Sequence, residues 1–153
     1  MTPSFRPAPS MLAALCLYVL IAVGLASGPL RAQNLFEPVI FVNDSAITRY
    51  EIQQRARMLT LFRAPGDPRD LAREQLIEER VKLDAAKGMG ITISEAAVRQ
   101  GMEEFAGRGN MNVEQMIEAL GQAGVSEQSF AEFVRAGITW REVTGARFAG
   151  RVS

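Results

Sequence analysis

The sequence predicts a mainly α-helical fold that begins with a short β-hairpin. Two compact runs rich in β-branched residues, 39–42 and 45–48, flank an Asn-Asp pair, which is typical of a hairpin turn. Beyond residue 48, apolar residues recur at helical spacing in about five segments that end at Gly, Pro or Asn. Hydrophobic residues make up 48% of the chain, which is enough for a packed core.

The first helix is predicted to start directly after the hairpin. Thr48 and Glu51 have the spacing of a capping box, in which the hydroxyl accepts from the Glu51 backbone N–H and the carboxylate reaches back to the cap residue. The helix therefore begins near Arg49. The segment 65–68, which contains two prolines and a glycine, ends it with turn chemistry.

Comparable signals mark the limits of the other four helices. The second runs over about 69–87, and Ser94 caps the third. Asn112 and Gln115 begin the fourth as a capping box does, and Ser126 caps the fifth. Apolar residues cover more than half the circumference of the fifth helix, which is usual for the central helix of a bundle. These residues are Phe130, Phe133, Val134, Ile138, Trp140 and Val143.

Residues 1–32 are predicted to be a secretory signal peptide, followed by one domain over 33–153. A lone basic residue, Arg6, precedes the uncharged apolar run 11–25. Cleavage is expected between Ala32 and Gln33, with 24–26 as a second choice. The alternative is an uncleaved membrane anchor, since a spanning helix needs about 20 apolar residues. Both alternatives place the remainder of the chain across the membrane.

The charge and residue counts exclude several classes of function. Lys and Arg number 17 and are balanced by 17 Asp and Glu, so the chain lacks the basic excess of a nucleic-acid binder. It contains no histidine, the commonest general base and metal ligand, and a single cysteine, so an internal disulfide is impossible. We expect no catalytic residue, no metal, no cofactor and no nucleic-acid partner.

Two pairs of adjacent carboxylates do not change this expectation. Glu78-Glu79 and Glu103-Glu104 lie on predicted helices, where neighbours point about 100° apart and cannot converge on one atom. Glu74 and Glu78 do share a helix face, but with several cations nearby we interpret this face as solvated, salt-bridged surface.

The methionines suggest a surface for binding apolar polypeptide. Methionine is adaptable, and surfaces that bind many sequences use it. Met102 and Met116 fall on predicted core faces, whereas three others lie near helix ends, where exposure is expected. The candidate peptide-binding residues are Met58, Phe62, Met89 and Met111.

Five segments, in this order, resemble the SurA family of periplasmic chaperones. They are the strand-turn-strand-helix opening at 39–51, the helix 74–83, the joint 88–94, and the helix starts at 110–116 and 124–130. The resemblance covers about 39–151. It implies an orthogonal helical bundle that binds unfolded outer-membrane proteins. Glycines in the later helices weaken local helicity, so we expect a marginally stable domain with an open apolar groove, supported by a client or a second copy.

Two alternatives remain open. Family members usually continue into parvulin-type prolyl isomerase domains, so the chain resembles the N-terminal part of an isomerase. Such a domain needs further residues beyond Ser153 and generally histidines, and we therefore expect no isomerase activity from this polypeptide alone. The other alternative is a membrane-anchored assembly partner, which applies if the leader is retained.

Overall fold

The computed structural model describes residues 34–148, and the predicted leader with its cleavage site between Ala32 and Gln33 lies outside them. The described residues form the predicted hairpin and five helices. Among these helices, none combines the length and hydrophobicity needed to span a bilayer. The elements are β1 Pro38–Val42, β2 Ser45–Thr48, α1 Arg49–Leu61, α2 Pro68–Gly88, α3 Glu95–Arg108, α4 Val113–Gln122 and α5 Glu127–Phe148.

The hairpin pairs β1 and β2 antiparallel around the predicted Asn-Asp turn. Asn43 has φ of 52°, a left-handed conformation that asparagine tolerates better than most residues. Ile40 pairs with Ile47 on the inner face, where Ile47 is fully buried. Phe41 points the other way and is 72% exposed. The two faces follow from the two-residue period of side chains along a strand.

Local caps fix the helix starts at the predicted residues. The Glu51 backbone N–H donates to Thr48 Oγ1 over 3.2 Å, and the Thr48 N–H donates to the Glu51 carboxylate over 2.7 Å. The same reciprocal pattern joins Asn112 and Gln115 at the start of α4, with distances of 2.8 and 3.0 Å. Both predicted capping boxes are therefore confirmed.

The core consists of two apolar clusters with α1 between them. The smaller cluster joins the hairpin, α1 and α2. The larger cluster joins one side of α1 to α3, α4 and α5. Met58 and Leu59 are neighbours on α1, but Met58 packs into the larger cluster and Leu59 into the smaller. Met102 and Met116 lie in the larger cluster, as predicted.

One glycine sets the distance between α3 and α5. A Cβ atom at Gly101 would lie 2.7 Å from Ile138 Cδ1 and 2.8 Å from Val134 Cγ1, both on α5. These distances are shorter than normal carbon–carbon contacts, so only glycine lets the two helices approach this closely. Gly101 therefore has a packing role that outweighs its low helix propensity.

Candidate functional site

A row of phenylalanine rings crosses the surface formed by α1, α3 and α5. Phe105 on α3 is central: its ring centroid lies 5.4 Å from that of Phe62, at the end of α1, and 5.7 Å from that of Phe133 on α5. Beneath them the fully buried Phe130 packs edge-on against Phe105 at 5.4 Å. The three upper rings are half-buried, so their outer edges are accessible. Aromatic pairs at these distances attract one another, which holds the row in place.

One groove, here called the methionine groove, opens on one side of Phe105. Its volume is about 390 Å³, and it lies between the end of α1, the end of α3 and α4. Seven of its eight lining residues are apolar or glycine, so it offers almost purely apolar contact. The lining residues are Leu61, Phe62, Phe105, Arg108, Gly109, Met111, Met116 and Ala119.

A second groove, here called the tryptophan groove, opens on the other side of Phe105. It has a volume of about 430 Å³ and lies between α2, α3 and α5. Apolar side chains form much of it, including Phe133, Val134, Ile138 and Trp140. Trp140 is 38% exposed, and the Lys82 ammonium lies 5.5 Å from its ring centroid, within cation–π distance.

The two grooves adjoin. Phe105 and Arg108 line both of them, because the two side chains stand one helical turn apart on the same face of α3. A single extended polypeptide that crosses this face of α3 can therefore contact both grooves.

The charges at the grooves are only partly neutralised. Lys82 pairs with Glu78 over 3.1 Å at the edge of the tryptophan groove. Glu104, also in that groove, accepts a hydrogen bond from the Gln100 amide over 3.2 Å. Within residues 34–148, neither Arg108 nor Arg141 forms an ion pair. Two exposed guanidinium groups therefore stand free beside apolar surface.

A buried ion pair supports the row of rings from below. Arg55 on α1 donates two hydrogen bonds to the Glu79 carboxylate on α2, over 2.6 and 2.9 Å, and its guanidinium carbon lies 4.9 Å from the Phe133 ring centroid. Arg55 is 4% exposed and the Glu79 side chain 14%. The sequence did not predict this pair, because only the packing of α1 on α2 brings Arg55 to the Glu79 carboxylate.

The structure brings together two of the four predicted peptide-binding residues. Phe62 and Met111 line the methionine groove. Met89 is 41% exposed after the end of α2, and it lines neither groove. The expectation that Met58 is exposed is wrong: its side chain is 1% exposed, because α1 is covered by core on both sides. Binding of a peptide by the other three stays a prediction.

Sequence reasoning missed the groove residues on α3 and α5. Phe133 and Trp140 were counted among the apolar residues of a central helix, yet each remains partly accessible, and so does Phe105 on α3. A signal was present, since the apolar residues of α5 cover too much of its circumference for all to be buried against one layer of helices. The contribution of Arg108 had no such signal, because nothing local distinguishes it from a surface cation at a helix end.

The two grooves present apolar and aromatic surface against which side chains can be buried. Among the described residues, no group of three His, Cys, Asp or Glu side chains is placed to hold a metal ion. A third cavity, between α1, α2 and α5, is lined by Arg55, Arg80 and Arg135, and each of these is ion-paired with a glutamate. The pairs join α1 to α2 and α3 to α5, and Arg80 also donates a hydrogen bond to the Ala46 carbonyl in the hairpin over 3.4 Å.

Comparison with known proteins gives a consistent result. The sequence model of the SurA N-terminal domain family matches residues 38–144. The chain is 35% identical to Chaperone SurA of Ralstonia nicotianae over 118 residues, which are 72% of this chain and 24% of that protein. It is 29% identical to Chaperone SurA of Alkalilimnicola ehrlichii over 133 residues, which are 82% of this chain and 31% of that protein. The chain thus matches about a quarter to a third of the length of these curated relatives.

Proposed function

Because the chain belongs to the SurA N-terminal domain family, we propose that it is a chaperone module that holds unfolded exported polypeptides, including outer-membrane proteins, and delays their aggregation. The relatives that it matches are named as chaperones, which supports this proposal. The observation that carries it is the pair of adjoining grooves, in which apolar and aromatic side chains remain accessible around Phe105.

The size of the grooves decides how such a client would bind. Fully burying one Leu or Phe side chain contributes about 1.5–3 kcal/mol, whereas association costs about 4–15 kcal/mol in lost freedom. One buried side chain is therefore insufficient, and a client must place several side chains across both grooves. An extended segment advances about 3.3 Å per residue, so a few residues reach from one groove to the next. We expect weak, reversible and sequence-tolerant binding.

The test is the aggregation of an unfolded outer-membrane protein after dilution from denaturant, followed by light scattering. The purified protein is expected to delay aggregation at a several-fold molar excess. The double variant Leu61→Ser with Trp140→Ser is expected to lose most of that delay, because these two exposed side chains line the two grooves. Neither is in the buried core, so the variant should remain folded.

A matched control removes two exposed apolar side chains elsewhere. Phe41→Ser with Val81→Ser changes the hairpin and the outer side of α2, and both residues lie outside the grooves. This variant is expected to retain the delay. If the unaltered protein gives no delay, the proposed function is wrong; if both variants lose activity equally, the grooves are not the binding surface.

We further propose that the module works in the periplasm after removal of residues 1–32. The basic start, apolar run and small-residue exit of the leader support this, as does the membership of a family whose chaperones act there. The mass of the exported protein tests the proposal, since cleavage after Ala32 leaves Gln33 as the first residue. A mass that retains the leader would instead favour the membrane-anchored alternative.

A further inference from the structure

Among the described residues that line the methionine groove, one is charged and none carries the opposite charge. Of its eight lining residues only Arg108 is ionised, and Arg108 has no ion-pair partner in the described part of the chain. The tryptophan groove differs, because Glu78, Glu79 and Glu104 also line it. The methionine groove is therefore an apolar site with a net positive edge.

Arg108 lies in the last turn of α3, where a cation interacts favourably with the helix dipole. That role explains a positive charge at the end of a helix. It does not require the charge to line an apolar groove, and it predicts an effect on stability alone. Selectivity among bound peptides distinguishes the two roles, because the dipole is the same whichever peptide is present.

We propose that the methionine groove recognises unfolded segments in which an acidic side chain flanks a short apolar run. The apolar side chains occupy the space between Phe62, Met111 and Met116, and the Asp or Glu carboxylate pairs with the Arg108 guanidinium at the edge. A carboxylate and a guanidinium form charge-assisted hydrogen bonds, which strengthen where neighbouring apolar surface excludes water. This proposal rests on the proposed function, since it names the clients that the module prefers.

The test uses three peptides that share one apolar run and differ at a single flanking position, which is Glu, Gln or Lys. All are acetylated and amidated, so that the Glu side chain is the only carboxylate. Calorimetric titration of the full chain is expected to give the order Glu, Gln, Lys, with each step weakening affinity about threefold to fivefold, the upper range for a partly exposed ion pair. At about 1 M salt, where the Debye length is about 3 Å, the difference should largely vanish.

Variants then test whether the Arg108 guanidinium is the charge that determines this preference. Arg108→Gln is expected to bind the three peptides with equal affinity, and Arg108→Glu to reverse the order. Arg147→Gln is the matched control, since Arg147 is an exposed arginine near the end of α5 that lines neither groove, and its selectivity should be unchanged. Helical content measured by circular dichroism confirms that each variant is folded.

The outcomes separate the two proposals. If the unaltered protein binds all three peptides equally, the charge preference is wrong while the chaperone function stands. If selectivity is lost in Arg141→Gln but kept in Arg108→Gln, the preference belongs to the tryptophan groove and this assignment is wrong. If no peptide binds, both proposals are wrong. If an Arg108 variant fails to fold, the effect of salt on the peptide affinities of the unaltered protein still shows whether the preference for Glu is electrostatic.

Discussion

Replacing Glu79 with alanine is expected to lower the free energy of unfolding by about 3 kcal/mol, because it leaves the Arg55 guanidinium buried without its counter-ion. Arg55 is 4% exposed and directs both terminal nitrogens at this carboxylate. Its remaining side-chain hydrogen bond goes to Gln75 Oε1 over 3.3 Å, and that amide carries no charge. We expect this loss to lie at the low end of the range for buried ion pairs, because Glu79 also lines the tryptophan groove, where water can enter. Urea denaturation measures the change.

An exposed ion pair provides the comparison. Glu114 pairs with Arg99 over 2.6 Å, but both side chains are largely solvated, and Glu114→Ala should cost less than about 1 kcal/mol. The double variant Arg55→Met with Glu79→Leu should lower the free energy of unfolding less than Glu79→Ala alone does, since no charge is then left unpaired. A loss below 1 kcal/mol for Glu79→Ala would mean that solvent reaches the guanidinium readily.

Replacing Phe130 with alanine is expected to cost about 3–5 kcal/mol, which is a large part of the stability of a domain of this size. Phe130 is fully buried, belongs to the larger cluster and packs edge-on against Phe105. Its removal leaves a cavity directly below the ring that lines both grooves. The urea concentration at the midpoint of unfolding should fall, while the slope of the free energy of unfolding against urea concentration stays unchanged.

Two further variants show whether the loss comes from packing. Phe130→Leu should cost less than alanine, because it refills much of the space with apolar atoms. Phe41→Ala removes an equally large ring that is 72% exposed, and it should change stability by no more than about 0.5 kcal/mol. Equal losses at the two phenylalanine positions would contradict the assignment of Phe130 to the core.

The features that the sequence predicted well are those determined by neighbouring residues. Thr48 with Glu51 and Asn112 with Gln115 form the expected capping boxes because both partners lie within one helical turn. The hairpin turn at Asn43 and the core position of Met116 on α4 are equally local. These signals are enough to place every described helix within a residue or two of its observed start.

The features that the sequence did not predict depend on how helices cross. Arg55 and Glu79 are 24 residues apart, and only the packing of α1 on α2 brings them together. Met58 was expected at the surface because it lies near the end of α1, yet a second layer of helices covers it. For the same reason, Phe62 and Met111 could be proposed as binding residues individually, but their meeting beside Phe105 required the structure.

The position of Trp140 has a practical consequence. It is the only tryptophan in the chain, and its ring lines one of the two grooves beside Lys82. The wavelength of indole fluorescence depends on the polarity around the ring, so an apolar segment that settles against it should shift the emission to the blue. Unlabelled clients can thus be followed through the light emitted by a residue that belongs to the site itself.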